Sequence, residues 1–177
     1  MTFSGVRAQK GIQPVGALLA VPSASFARPA SANTYAANAV VSDSATAPTI
    51  LEFPVCALCP GGGGMVISAR HAKNSTVIAS FRLELYRASR TAINDNAQFP
   101  LLFANKVNRI GWVDFSSHAS FGTGSDSTVS HGVFPSSLSY LPYVADGTSL
   151  FGIAISLSGY AAPASEQHTF ELCVQRY

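Results

Sequence analysis

The chain has 177 residues, with 11 Lys and Arg against 9 Asp and Glu and a net charge of +2. Only 11 % of it is charged while 47 % is apolar, where an ordinary soluble domain is about 25 % charged; a surface so poor in charge predicts cover by other subunits. The longest apolar run, Val15 to Val21, is far short of the ~20 residues that span a bilayer, and no basic stripe suited to specific nucleic-acid binding is present.

In chain order, residues 1–32 read as an extended arm. Pro14, Pro22 and Pro29 stand among Ala, Ser and Gly, and Arg7, Lys10 and Arg28 are its only charges. Eight of the eleven basic residues then face all nine acids in the remainder, so a cationic arm precedes a neutral body. Residues 1–27 imitate a secretory leader, but the basic residues sit inside the segment and Pro interrupts it; the expectation is an uncleaved arm. Its candidate partner-contact residues are Arg7, Lys10, Val15, Leu18, Leu19 and Arg28.

From Asn33 the composition becomes β-like, so the domain is placed at 33–177. Thr49–Phe53 and Met65–His71 are predicted strands. Thr76–Arg87 is the clearest, with Ala79, Phe81, Leu83 and Leu85 on a buried face and Ser80, Arg82 and Glu84 towards solvent. Gln98–Asn105 predicts a helical turn, followed by strands at Ile110–Phe115 and Gly132–Phe134. Leu150–Leu157 sets Phe151, Ile153, Ile155 and Leu157 against small residues, a flat face suited to sheet packing or a partner. The chain ends in a strand, with Phe170, Leu172 and Val174 on one side. Many short strands without a helical period predict an all-β, antiparallel β-sandwich, jelly-roll-like, of roughly eight strands.

The candidate chemistry is thin. Cys56 and Cys59 have zinc-knuckle or redox spacing, but no second pair follows, and His71, His118, His131 and His168 lack ligand spacing. Pro60–Gly64 lacks the Lys-Ser/Thr of a phosphate loop, and Gly122–Asp126 fails the nucleophile-elbow pattern. Ser125, His131 and Asp114 form a chance triad, and Asn74-Ser75-Thr76 an ordinary hairpin turn. Trp112 with Asp114, joined by Tyr140 and Tyr143, is a candidate sugar platform, though a core or interface aromatic is the simpler reading. The expectation is therefore no enzyme, no cofactor and no metal ion.

Tyr35–Val41, Phe81–Tyr86, Asp95–Leu102 and Ile110–Phe115 together resemble the jelly-roll decoration or cement proteins of tailed-bacteriophage capsids. The resemblance covers about residues 33–177 and implies a homotrimer seated on the major capsid protein. It further implies residence on the virion surface after synthesis in the host cytoplasm; the short apolar run and the neutral body themselves predict no membrane and no specific nucleic-acid partner. A glycan- or receptor-binding head-fibre or tail module on the same sandwich is the alternative.

Overall fold

A computed structural model describes residues 18–120, 126–135 and 138–177. Among these residues the strands are β1 (Leu18–Ala20), β2 (Ser23–Ala27), β3 (Thr34–Tyr35), β4 (Val40–Val41), β5 (Leu51–Phe53), β6 (Gly63–Lys73) and β7 (Phe81–Tyr86). They continue as β8 (Arg109–Phe115), β9 (Ala119–Ser120), β10 (Thr128–His131), β11 (Leu141–Val144), β12 (Leu150–Ser156), β13 (Tyr160–Ala161) and β14 (Gln167–Arg176). Eight of them are four residues or longer, and the rest are short edge pieces.

All pairings are antiparallel. One seven-stranded sheet runs β1-β14-β6-β10-β9, with β2 also on β14 and β11 also on β6. A five-stranded sheet runs β4-β12-β7-β8, with β5 on β12, and the β13–β3 pair stands apart. The two larger sheets face each other, because alternate residues of each strand carry the apolar side chains inward. Phe170, Leu172 and Val174 of β14 and Val66 of β6 meet Phe81, Leu83, Leu85, Val113 and Phe115 in one core. The chain is thus an all-β antiparallel sandwich.

Several expectations are corrected. The arm does not extend to residue 32: Leu18–Ala20 pairs with Val174–Arg176, and Ser23–Ala27 pairs with Gln167–Glu171. Long β14 has backbone groups to satisfy along its outer edge, and a run of Ser and Ala suffices to do so. Glu84 is not a solvent residue but 3 % exposed. Strand β7 starts only at Phe81, and Asn74–Ser80 carries the chain from one sheet to the other, so Asn74-Ser75-Thr76 is no hairpin turn. Around Gly132–Phe134 only Val133 bridges, to Asp114. Gln98–Asn105 yields a 3₁₀ turn at Phe103–Asn105 alone.

The small face of β12 turns inward: a Cβ on Gly152 would lie 2.8 Å from Leu83 Cδ1. Its bulky face turns outward, where Ile153 and Ile155 join Val40 and Tyr86 in a second buried cluster. Ile50, Ile93 and Phe99 from the connecting segments pack over that cluster.

Candidate functional site

Of the residues proposed from sequence for partner contact, the described ones, Leu18, Leu19 and Arg28, do not form one surface. Leu18 and Leu19 are exposed on β1, beside the exposed Val21. Arg7, Lys10 and Val15 lie outside the described residues. Arg28 is the plain correction, since it is 2 % exposed. Its guanidinium lies over the Tyr35 ring, 4.6 Å from the centroid, donates to the Tyr35 hydroxyl and to Pro163 O (2.9 Å), and approaches Asp95 Oδ2 at 3.5 Å. Asp95 also accepts from Tyr35 Oη (2.5 Å) and the Ser42 amide (3.0 Å). Burial, then the hydrogen bond to Asp95, pushes the Tyr35 phenol far above its usual range.

The Trp112 platform is occupied. Trp112 projects from the outer face of the five-stranded sheet, with the guanidinium of Arg82 4.9 Å and that of Arg109 4.5 Å from its ring. Arg82 forms a two-pronged pair with Asp114 (2.6 and 2.8 Å), and Arg109 one with Glu84 (2.5 and 3.1 Å). Such forks hold both planar groups in register. Tyr143 is buried and donates to Cys56 O (2.5 Å), whereas Tyr140 is exposed. Of the chance triad, Ser125 lies outside the described residues, and Asp114 is committed to Arg82.

The three thiols are free and differ in setting. Cys56 is buried, its thiol pushed up to about 11 chiefly by burial; Cys59 is exposed and Cys173 intermediate. Val55, next to Cys56, has φ +53°, a left-handed backbone that a β-branched residue rarely adopts.

Several exposed apolar side chains share one loop. Leu101, Leu102, Phe103 and Val107 are 42, 58, 83 and 76 % exposed, around the 3₁₀ turn between β7 and β8. The Lys106 ammonium lies 5.5 Å from the Phe103 ring. Beside this loop, Val107, Ile110, Pro142, Val144 and Tyr177 line an open groove between the edges of β8 and β11.

The largest feature missed from sequence is a polar chain inside the sandwich. His118, in the β8–β9 connection, reaches His71 of β6 (Nε2 to Nδ1, 2.9 Å), and His71 Nε2 reaches His168 Nδ1 of β14 at 3.0 Å. His168 Nε2 lies 3.1 Å from Glu166 Oε2. Glu166 Oε1 accepts from Lys73 Nζ (2.9 Å) and from Ser75 Oγ, and Tyr160 Oη donates to Oε2 (3.2 Å). Lys73 also donates to Ser75 Oγ (2.9 Å) and to Val77 O. His71, His168, Lys73 and Glu166 are at most 2 % exposed, and His118 is 7 % exposed.

Chemistry orders this chain. A carboxylate only accepts, so His168 carries its proton on Nε2 and presents Nδ1 as acceptor. His71 must then donate from Nε2, and His118 likewise, an assignment that follows from the network. His118 Nδ1 is left as a buried acceptor with no partner among the described residues. The Ala79 carbonyl nearby raises the His118 pKa but cannot donate to it.

Burial lowers all three imidazoles, His118 to about 4 and His71 well below its usual value. Burial also lowers Lys73, against the pull of Glu166. For Glu166 burial acts upward but is outweighed by the hydrogen bonds from His168, Ser75 and Lys73, which hold it at about 2. Among the described residues no group of His, Cys, Asp and Glu is arranged to hold a metal ion, and no helix is long and apolar enough to cross a membrane.

Comparison with protein-family models, with curated proteins and with solved structures gives no match for this chain.

Proposed function

We propose that this chain is a structural virion protein, a cement or decoration protein that binds the outside of an assembled phage capsid. The observation that carries the reading is exposed apolar surface on a chain poor in charge: Phe103 stands 83 % exposed in a loop that also exposes Leu101, Leu102 and Val107. Isolated exposed apolar residues are ordinary, but several contiguous ones on a chain only 11 % charged favour a protein contact. The sequence resemblance supplies the partner, a major capsid protein, and the homotrimeric state. A sandwich that binds only the assembled lattice stabilises that lattice by mass action, without any reaction.

Geometry gives the glycan-binding alternative less support, because the Trp112 ring is already covered by two guanidinium groups. Particles banded on a density gradient from cells producing this protein should carry it in a fixed ratio to the major capsid protein. A chain that remains wholly at the top of the gradient, with particles present below, refutes the proposal.

A further inference from the structure

Three neutral histidines linked in series and ended by a buried ion pair form more than packing. We propose that His118–His71–His168–Glu166 is a proton wire that carries one proton from the end of the sandwich to the buried Glu166–Lys73 pair and so loosens the segments Glu166 holds.

The step balances atom by atom. A proton from solvent binds His118 Nδ1, beside the Ala79 carbonyl. The Nε2–H bond of His118 breaks as Nδ1–H forms on His71, across 2.9 Å. That of His71 breaks as Nδ1–H forms on His168, across 3.0 Å, and that of His168 breaks as O–H forms on Glu166, across 3.1 Å. Each imidazole ends neutral with its proton moved from Nε2 to Nδ1, and Glu166 ends as a neutral acid. Every hydrogen bond in the chain is kept with its direction reversed, and the orphan acceptor on His118 becomes a donor to Ala79. Only the entry position is near the surface, since His71 and His168 are fully buried.

The added charge appears at Lys73, whose ammonium loses its counter-ion at 2.9 Å and keeps only neutral acceptors at Ser75 and Val77. A buried ammonium without a partner is costly. The charged and titratable groups facing the chain do not relieve it. Tyr160 of β13 and Tyr35 of β3 are phenols held neutral, and Arg28 after β2 is a second cation whose acid, Asp95, is already shared. From β10, Thr128 and Ser130, and from β7 and β8, Phe81 and Phe115, bring no charge.

The parts nearest to giving way are those tied to Glu166. Its carbonyl accepts from the Arg28 amide (2.9 Å), the Ser165 amide donates to Pro29 O (3.2 Å), and the Arg28 side chain donates to Pro163 O. Phe26 of β2 stacks on His168 with centroids 5.1 Å apart. The turn at 163–167 and the strand end at 26–29 therefore loosen together.

Nitrogen-15 NMR of the unmodified full chain reads the wire directly. At about pH 7.5 His71, His118 and His168 should all be Nε2–H tautomers, and on lowering the pH these three should change over together with one shared midpoint. Separate midpoints, or Nδ1–H tautomers at neutral pH, overturn the wire. Hydrogen exchange reads the consequence: because Glu166 is held at about 2, protection factors at 24–30 and 163–168 should fall about tenfold or more between roughly pH 5 and pH 2, while those of β7 and β12 hold. Uniform loss across the sandwich, or no loss, overturns the coupling to these segments. In His118→Phe, with entry blocked, protection at the lower pH should persist; equal loss in that variant also overturns the proposal. Should the variant not fold, the tautomer measurement decides alone.

Discussion

Replacing Leu83 and Gly152 singly and together tests the packing of the five-stranded sheet. Gly152 of β12 sits diagonally from Leu83 of β7 on the inward face, where a Cβ would lie 2.8 Å from Leu83 Cδ1, 3.0 Å from Phe53 Cε2 and 3.6 Å from Leu51 Cβ. Leu83 is fully buried, so Leu83→Ala should cost about 2–5 kcal/mol through lost burial and the cavity left. Gly152→Ala forces the Leu83 methyl and the Phe53 ring to move, at about 1–3 kcal/mol, partly offset by about 0.4–1 kcal/mol from a less flexible unfolded chain. In the double variant the Leu83 collision is gone and the new methyl enters the cavity. Its loss should therefore fall short of the sum of the single losses by about 1–3 kcal/mol. Urea unfolding followed by Trp112 fluorescence measures all three changes. Losses that add within about 0.5 kcal/mol show that the two positions do not touch, and the inward orientation of the small face is then wrong.

Three further outcomes follow from single positions. Arg28→Ala should destabilise by about 3–5 kcal/mol, because it strands Asp95 in the interior; a loss under about 0.5 kcal/mol in the same unfolding assay would mark Arg28 as the solvated arm residue its sequence context suggests. Val55→Gly should be neutral or stabilise by up to about 1 kcal/mol, since Gly relieves the left-handed backbone at φ +53° while adding chain entropy to the unfolded state; a drop in melting temperature of several degrees would show that the exposed Val55 side chain contributes more than its backbone costs. Phe103→Asp should leave stability within about 0.5 kcal/mol yet abolish recovery of the chain with particles in gradient fractions, and unchanged recovery would exclude this loop as the contact.

Periodicity made the strongest strands legible. In β7, β12 and β14 the inward and outward residues alternate over six residues or more, a pattern that packing alone writes into sequence. The edges were not legible for the same reason. Strands β1 and β2 bury little beyond Ala24 and Phe26, and their place is set by backbone hydrogen bonds to β14, which Ser and Ala make as well as any residue. Arg28 read as an arm cation because its acid, Asp95, lies far along the chain. The outward burial of Ile153 and Ile155 was hidden too, because the segments that cover them carry no period of their own.

The polar chain left a faint mark that is visible once the strands are known. His168 shares the parity of Phe170 and Leu172, and His71 and Lys73 share that of Ala69, so the inward faces of β14 and β6 simply continue in polar residues. A scan for metal-ligand spacing passes over them, because they meet across strands rather than along one. Their order cannot be read from sequence at all, since it depends on which ring nitrogen faces which. Yet the buried ion pair at one end dictates every proton position up to His118, so the only variable left to the chain is whether a proton has entered. A hydrophobic substitute at any one of these positions would pack as well but would strand its neighbours' nitrogens. Four interdependent polar groups are difficult to explain as filling, and more simply explained as a connected device.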